Sequence, residues 1–153
     1  FEEDAETALA IYPAKDEEQM LDSSKRLLGD SLFGAPSYYA ARAMADRGED
    51  IYFYHFNQKP SGKAGEILGA FHASEIAYVF GVGGLGPIED PELSRIMLAY
   101  WTNFSKIGNP NGDDIPDWET MKLNKDTWHL LGPKIGQENI SRMNIYNLLR
   151  RIS

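Results

Sequence analysis

Gly69-Ala70-Phe71-His72-Ala73-Ser74-Glu75-Ile76-Ala77-Tyr78-Val79-Phe80-Gly81 is the stretch around which the chain is organised. Upstream lies Ile51-Tyr52-Phe53-Tyr54-His55-Phe56-Asn57, an apolar run of β-forming residues short enough to be one strand. Downstream comes a Gly- and Pro-rich turn and then a long amphipathic pattern. His72 therefore ends a strand-plus-loop and opens a short helical segment over 72–80. Open α/β sheets place reactive groups there, on loops beyond the carboxyl ends of their strands. A histidine beside Phe71 is also a common packed side chain, and position alone leaves both readings standing.

The surrounding text separates them. Residues 69–81 resemble the histidine motif of the type-B carboxylesterase/lipase family, the cholinesterase-like esterases. The likeness continues through Leu93-Ser94-Arg95-Ile96-Met97-Leu98-Ala99-Tyr100-Trp101-Thr102-Asn103-Phe104-Ser105-Lys106-Ile107-Gly108-Asn109-Pro110-Asn111. It also takes in Gly29-Asp30-Ser31-Leu32-Phe33-Gly34-Ala35-Pro36. It covers most of residues 12–131 in the family's order. The resemblance implies an α/β class, specifically the C-terminal part of an α/β-hydrolase fold: the last sheet strands with flanking helices, incomplete as a stand-alone domain. On this reading residues 1–153 are one C-terminal fragment of a single hydrolase domain.

By the same resemblance His72 is the general base and acid of a serine esterase. An imidazole suits both duties because its unperturbed pKa lies near neutrality. It takes the serine's proton during attack, returns one to the leaving alcohol, and then activates water to release the acid. The family's nucleophile, oxyanion-hole glycines and acid lie upstream of the matched region, so the expected partner is the N-terminal part of the same enzyme. A small-molecule ester is the expected substrate, and no cofactor or metal is implied. Glu75, three residues on, is read either as part of the buried support around the site or as a helix cap.

Gly29-x-Ser31 does not make a nucleophile elbow: Gly-x-Ser-x-Gly is needed, the second glycine comes one residue late, and Pro36 follows instead of a helix. Asp30 is expected to cap the next turn. Gly81-Val82-Gly83-Gly84-Leu85-Gly86-Pro87 fits neither a dinucleotide nor a P-loop spacing and reads as a connector. Residues 109–117 carry several oxygen side chains but lack the ligand spacing of an EF-hand, and read as a solvated turn.

Periodicity assigns the rest. Asp16-Glu17-Glu18 opens a helix to about Leu28, its acids suited to the positive end of the dipole. Tyr38 to Arg47 forms another, with Tyr38, Ala41, Met44 and Ala45 on one face and Gly48 as the stop. The strand at 51–57 is expected to be central and buried on both faces, with His55 in a structural hydrogen-bonding role. Gln58 to Leu68 reads as a loop. Asp90-Pro91-Glu92 starts a helix to about Lys106 with Leu93, Ile96, Met97, Tyr100, Trp101, Phe104 and Ile107 in its apolar stripe. Trp118 packs the following loop down. Residues 127–131 are expected to be an edge strand with His129 at the surface or pairing, and Gln137 to Ile152 an amphipathic helix.

Composition bounds the alternatives. The net charge of −8 argues against nucleic-acid binding, which needs clustered Lys and Arg. No apolar run reaches the roughly 20 residues that span a bilayer. Three Trp, eight Tyr and seven Phe mark a chain that buries a core. Without cysteine, these residues hold no disulfide. The compartment is left open: a microbial cytoplasmic enzyme and a secreted one both fit. The rival functions are a cholinesterase-like adhesion module without catalysis and a binding domain of merely similar architecture. Retention of His72 argues against the first, and the ordered motifs against the second.

Overall fold

The computed structural model describes residues 4–82, 88–122 and 125–152. It divides into two compact units. The connector read at 81–87 lies mostly outside the described residues.

The first unit comprises Phe1–Ile51, Lys122–Asp126 and Ile140–Ser153 and is helical. It holds α1 (Ala5–Ile11), α2 (Glu17–Gly29), α3 (Ala35–Ala45) and α7 (Met143–Ile152). Helix α2 starts where its acids indicate: the Asp16 carboxylate accepts the Gln19 N–H at 2.8 Å. Between α2 and α3 the chain stays helical through a π turn, Asp30–Gly34, in which the Ala35 N–H donates to the Asp30 carbonyl. Pro36, in the first turn of α3, has no N–H and its ring would crowd the carbonyl four residues back. A wider turn relieves that crowding without ending the helix. Pro36 thus continues the helix where the sequence suggested a break, and Ser31 sits in the π turn.

Asp30 is not a cap. It is buried (2 % exposed), its carboxylate taking the Tyr12 hydroxyl at 3.0 Å on one oxygen and the Arg142 guanidinium on the other. Helix α3 buries Tyr38, Ala41 and Ala45, but Met44 faces solvent. The Tyr38 hydroxyl donates to Asp126 at 2.5 Å, and Arg42 donates to the Lys122 carbonyl at 2.9 Å. Helix α7 presents Ile145, Tyr146, Leu148 and Leu149 to the interior and begins only at Met143. Of the earlier residues of the expected helix, 137–139 belong to a strand and 140–142 lead into α7.

The second unit comprises Tyr52–Met121 and Thr127–Asn139. Its sheet has the order β1 (Tyr54–Phe56), β2 (Thr127–Leu131), β3 (Gly136–Asn139). β1 runs parallel to β2 with Tyr54 opposite His129, and β2 runs antiparallel to β3 with His129 opposite Gln137. The middle strand is β2, every residue buried, so both strand assignments reverse: 127–131 is central rather than edge, and β1 is a shorter, half-buried flanking strand. Aromatic side chains shield β1 instead of a second sheet layer. Tyr54 meets Trp101 and Trp118 edge-on with centroids 5.3 and 5.9 Å apart, and His55 stacks on Trp128 at 4.4 Å.

Helices α4 (Gly62–Leu68), α5 (Ile76–Phe80) and α6 (Pro91–Ile107) complete this unit. The stretch read as a loop at 58–68 therefore contains a two-turn helix. Helix α6 follows its sequence signals: Asp90 accepts the Leu93 N–H at 2.9 Å, Pro91 opens the first turn, and Gly108 closes it with φ 71°. Leu93, Ile96, Met97 and Tyr100 join Tyr78, Val79, Trp118 and Leu131 in one core cluster. Phe104 and Ile107, at the end of the stripe, are exposed. No helix among the described residues is long and apolar enough to cross a membrane.

Candidate active site

His72 lies on the turn that joins α4 to α5. Gly69 ends α4 at φ 63°, its N–H donating to the Gly65 carbonyl at 3.0 Å. The chain then folds tightly on itself. The Ser74 N–H and hydroxyl both donate to the Phe71 carbonyl, at 3.1 and 2.6 Å, and the Ile76 N–H donates to the Ala73 carbonyl at 3.2 Å. Helix α5 begins at Ile76, four residues later than the sequence suggests, because these bonds hold 72–75 as a turn.

The turn contains Ala73 at φ 69°, a left-handed conformation that a residue with a Cβ rarely adopts. Such strain persists only where its surroundings enforce it. Here the enforcement comes from below. Tyr78 and Val79 of α5 are buried in the core cluster, and the Tyr78 carbonyl accepts the Ser94 hydroxyl of α6 at 2.8 Å. The histidine thus rides at an exposed position on a tight turn whose helix is fastened to the longest helix of the unit.

Glu75 is half-buried and makes no side-chain cap for α5. Burial first, and then the Glu75 charge, raise the Tyr54 phenol above its ordinary pKa. Glu75 stands at the N-cap position of α5 without a side-chain bond to its N–H groups.

The other two histidines lie in the sheet, His55 in β1 and His129 in β2. His55 stacks on Trp128. Of the two expectations for His129, surface or pairing, the second holds: it is fully buried and pairs with Tyr54 and Gln137 on the neighbouring strands. No group of three or more His, Asp or Glu able to hold a metal occurs among the described residues. An apolar hollow of about 220 Å³, lined by Ala5, Ala8, Leu9, Tyr12 and Leu27, belongs to the helical unit and brings no nucleophile or base to its walls. The left-handed Ala73 and the buried ion pair of Asp30 carry no local signal in the sequence.

The model of the Carboxylesterase family matches residues 2–147. The chain belongs to the carboxylesterase family. Among curated relatives, it is 40 % identical over 121 residues to a medium-chain fatty acyl-CoA hydrolase precursor of Anas platyrhynchos, covering 75 % of this chain and 22 % of that protein. It is 38 % identical over 113 residues to the liver carboxylesterase of Sus scrofa, covering 69 % of this chain and 19 % of that enzyme. Carboxylesterase 5A of Homo sapiens is 36 % identical over 132 residues, covering 78 % of this chain and 23 % of that protein. The chain therefore spans about a fifth of the length of these relatives. Within that family setting the mixed α/β unit, with its small three-stranded sheet, is consistent with part of an α/β-hydrolase region.

Proposed function

We propose that these residues are the C-terminal portion of a serine carboxylic-ester hydrolase and that His72 is its general base and acid. The observation that carries the reading is the exposed His72 on a strained turn, inside the stretch that resembles the family's histidine motif. An imidazole with that exposure has room to meet a serine hydroxyl supplied from elsewhere. In acylation it accepts the hydroxyl proton as oxygen attacks the ester carbonyl, then donates that proton to the departing alkoxide. In deacylation it takes a proton from water, and the acid leaves as the serine is regenerated. The nucleophile, the orienting acid and the oxyanion hole belong to an N-terminal part of the same enzyme. No Gly-x-Ser-x-Gly occurs within residues 1–153.

The test has two arms. The 153-residue chain alone should not turn over a p-nitrophenyl ester, whereas the polypeptide including the N-terminal part should, and should react with a serine-directed fluorophosphonate. In that longer polypeptide His72→Ala should lose at least a thousandfold in kcat, a loss of the size expected for a member of such a triad. Unchanged turnover in a folded His72→Ala enzyme would remove the residue assignment. Absence of fluorophosphonate labelling would favour the adhesion-module alternative.

A further inference from the structure

A serine inside a helix commonly returns its hydroxyl to the carbonyl four residues earlier. Ser24 in α2 and Ser105 in α6 do so, each at 2.7 Å. Ser94, in the first turn of α6, does not. Its N–H donates to the Asp90 carbonyl at 3.1 Å, but its hydroxyl leaves the helix and donates to the Tyr78 carbonyl of α5 at 2.8 Å. Both residues are buried, Ser94 at 6 % exposure and Tyr78 at 8 %.

The acceptor is one that α5 does not serve from its own backbone. The last carbonyls of a helix have no N–H of the same helix to accept from. At Gly81 the chain turns left-handed, φ 65°, and the Gly81 and Val82 N–H groups both go to the Ala77 carbonyl, the latter at 3.1 Å. The Tyr78 carbonyl, next along, takes the Ser94 hydroxyl instead. A buried carbonyl left without its donor bears the desolvation penalty in full, so at this point α5 depends on α6.

From Tyr78 the connection reaches His72, six residues earlier, through a closed run of backbone bonds. The Glu75 carbonyl accepts the Tyr78 and Val79 N–H groups, each at 3.0 Å. Ahead of it, Ala73 holds the Ile76 N–H and Phe71 holds Ser74. Helix α5 has only five residues, too few to keep its shape without outside partners. Burial of Tyr78 and Val79 keeps it on the core, but that attraction is non-directional. The Ser94 bond supplies direction: it fixes how α5 is rotated and advanced along α6.

We propose that Ser94 is a positioning residue for His72: its hydroxyl locks the last turn of α5 to the first turn of α6 and so sets where the imidazole stands. This rests on the assignment of His72 as general base and acid. The support beneath Ser94 is itself firm, since the Asp90 carboxylate caps the same turn of α6. Because one imidazole serves both acylation and deacylation, displacing it slows both steps together. The signature is a fall in kcat with little change in KM.

The experiment uses the polypeptide that includes the N-terminal part, with a p-nitrophenyl ester and rates taken per folded molecule. Ser94→Ala should lose about 10- to 100-fold in kcat, the size expected for a misplaced reacting group, with KM within about twofold of the parent. Ser94→Thr, which keeps the hydroxyl, should retain several times the kcat of Ser94→Val, its isosteric counterpart without one. Arg142→Met, a destabilised variant of the helical unit, should keep its kcat, which separates positioning from a general loss of stability. Parental kcat in folded Ser94→Ala, or equal kcat in the threonine and valine variants, would overturn the proposal. If His72→Ala is inactive in the same assay, that outcome leaves the assignment of His72 standing; if His72→Ala turns over normally, the assignment and the proposal fall together. Should neither variant lacking the hydroxyl fold, native-state hydrogen exchange of the parent decides. Amides 74–79 should open together with the first turn of α6, and independent, faster opening of 74–79 would overturn the link.

Discussion

Arg142 and Asp30, 112 residues apart in sequence, form an ion pair in which the carboxylate is almost wholly buried. The second carboxylate oxygen takes the Tyr12 hydroxyl, so the pair closes α1, the π turn and the start of α7 on one another. The interior returns the Coulomb attraction only while both partners are present. Arg142→Met should therefore lower the unfolding free energy by about 3 kcal/mol, because it strands a buried carboxylate. The double variant Asp30→Leu/Arg142→Met should recover a good part of that loss. Urea midpoints of the two single variants and the double one check this; strict additivity would show that the two groups are not coupled.

The turn that carries His72 offers a second test. Ala73 at φ 69° stands where the left-handed region costs a Cβ-bearing residue roughly 1–2 kcal/mol. Glycine escapes that cost but loses more freedom on folding, so Ala73→Gly should gain only about 0.5 kcal/mol. Ala73→Val, with branching at Cβ, should lose about 1 kcal/mol or force the turn open. If the turn sets the position of His72, the valine variant of the catalytically complete polypeptide should also lose kcat with little change in KM. Equal kcat in both variants would mean that the turn geometry does not matter for turnover.

Two glycines should respond to alanine with opposite signs. A Cβ on Gly132, just past β2, would lie 1.9 Å from Asn57 Oδ1 and about 3 Å from the Asn57–Gln58 backbone. The Asn57 N–H is already fixed to the Leu131 carbonyl at 2.9 Å, so the backbone has little room to retreat. Gly132→Ala should cost about 2 kcal/mol through overpacking. Gly29, at the end of α2 with φ −62°, would place a Cβ in open space. Gly29→Ala should stabilise by up to about 1 kcal/mol through helix propensity. Thermal melts of both variants suffice, and a matching sign would contradict the packing around one of them.

Local chemistry made α2 and α6 legible, because their caps and acids act within a turn of the residues that signal them. Asp16 and Asp90 stand where the sequence opens each helix, and each accepts a first-turn N–H. The exchange of central and edge strands has a different cause. Apolar content reports how covered a strand is, and aromatic neighbours can cover β1 without placing it in the middle of the sheet. Conversely, His129 reads as a surface or pairing residue because Tyr100, which meets its ring, lies on a helix distant in sequence. Asp30 reads as a cap for the same reason: its partner Arg142 lies 112 residues away in sequence. The position of His72 was legible as a motif, while the left-handed turn beneath it was not, since alanine gives no local signal for positive φ.

The buried phenols should give the chain an alkaline limit. Tyr146 is 3 % exposed, and burial pushes its pKa up to about 12, the Asp30 charge adding to the rise and Arg142 opposing it. Unfolded tyrosine ionises near 10, so above that pH the unfolded chain sheds protons that the folded chain keeps. The stability from the neutral phenol is therefore complete below pH 10 and is lost as pH rises through about 12. The loss attributable to Tyr146 should be about 2 kcal/mol. Tyr146→Phe keeps the ring against Tyr38, whose centroid lies 5.6 Å away, and removes the titrating group. Urea unfolding of both proteins at pH 8, 10, 11 and 12 isolates this contribution from that of the lysines, which is common to the two. The gap between the curves should shift in favour of the phenylalanine variant only above pH 10; curves that stay parallel to pH 12 would show that the Tyr146 hydroxyl ionises as readily in the fold as in the open chain.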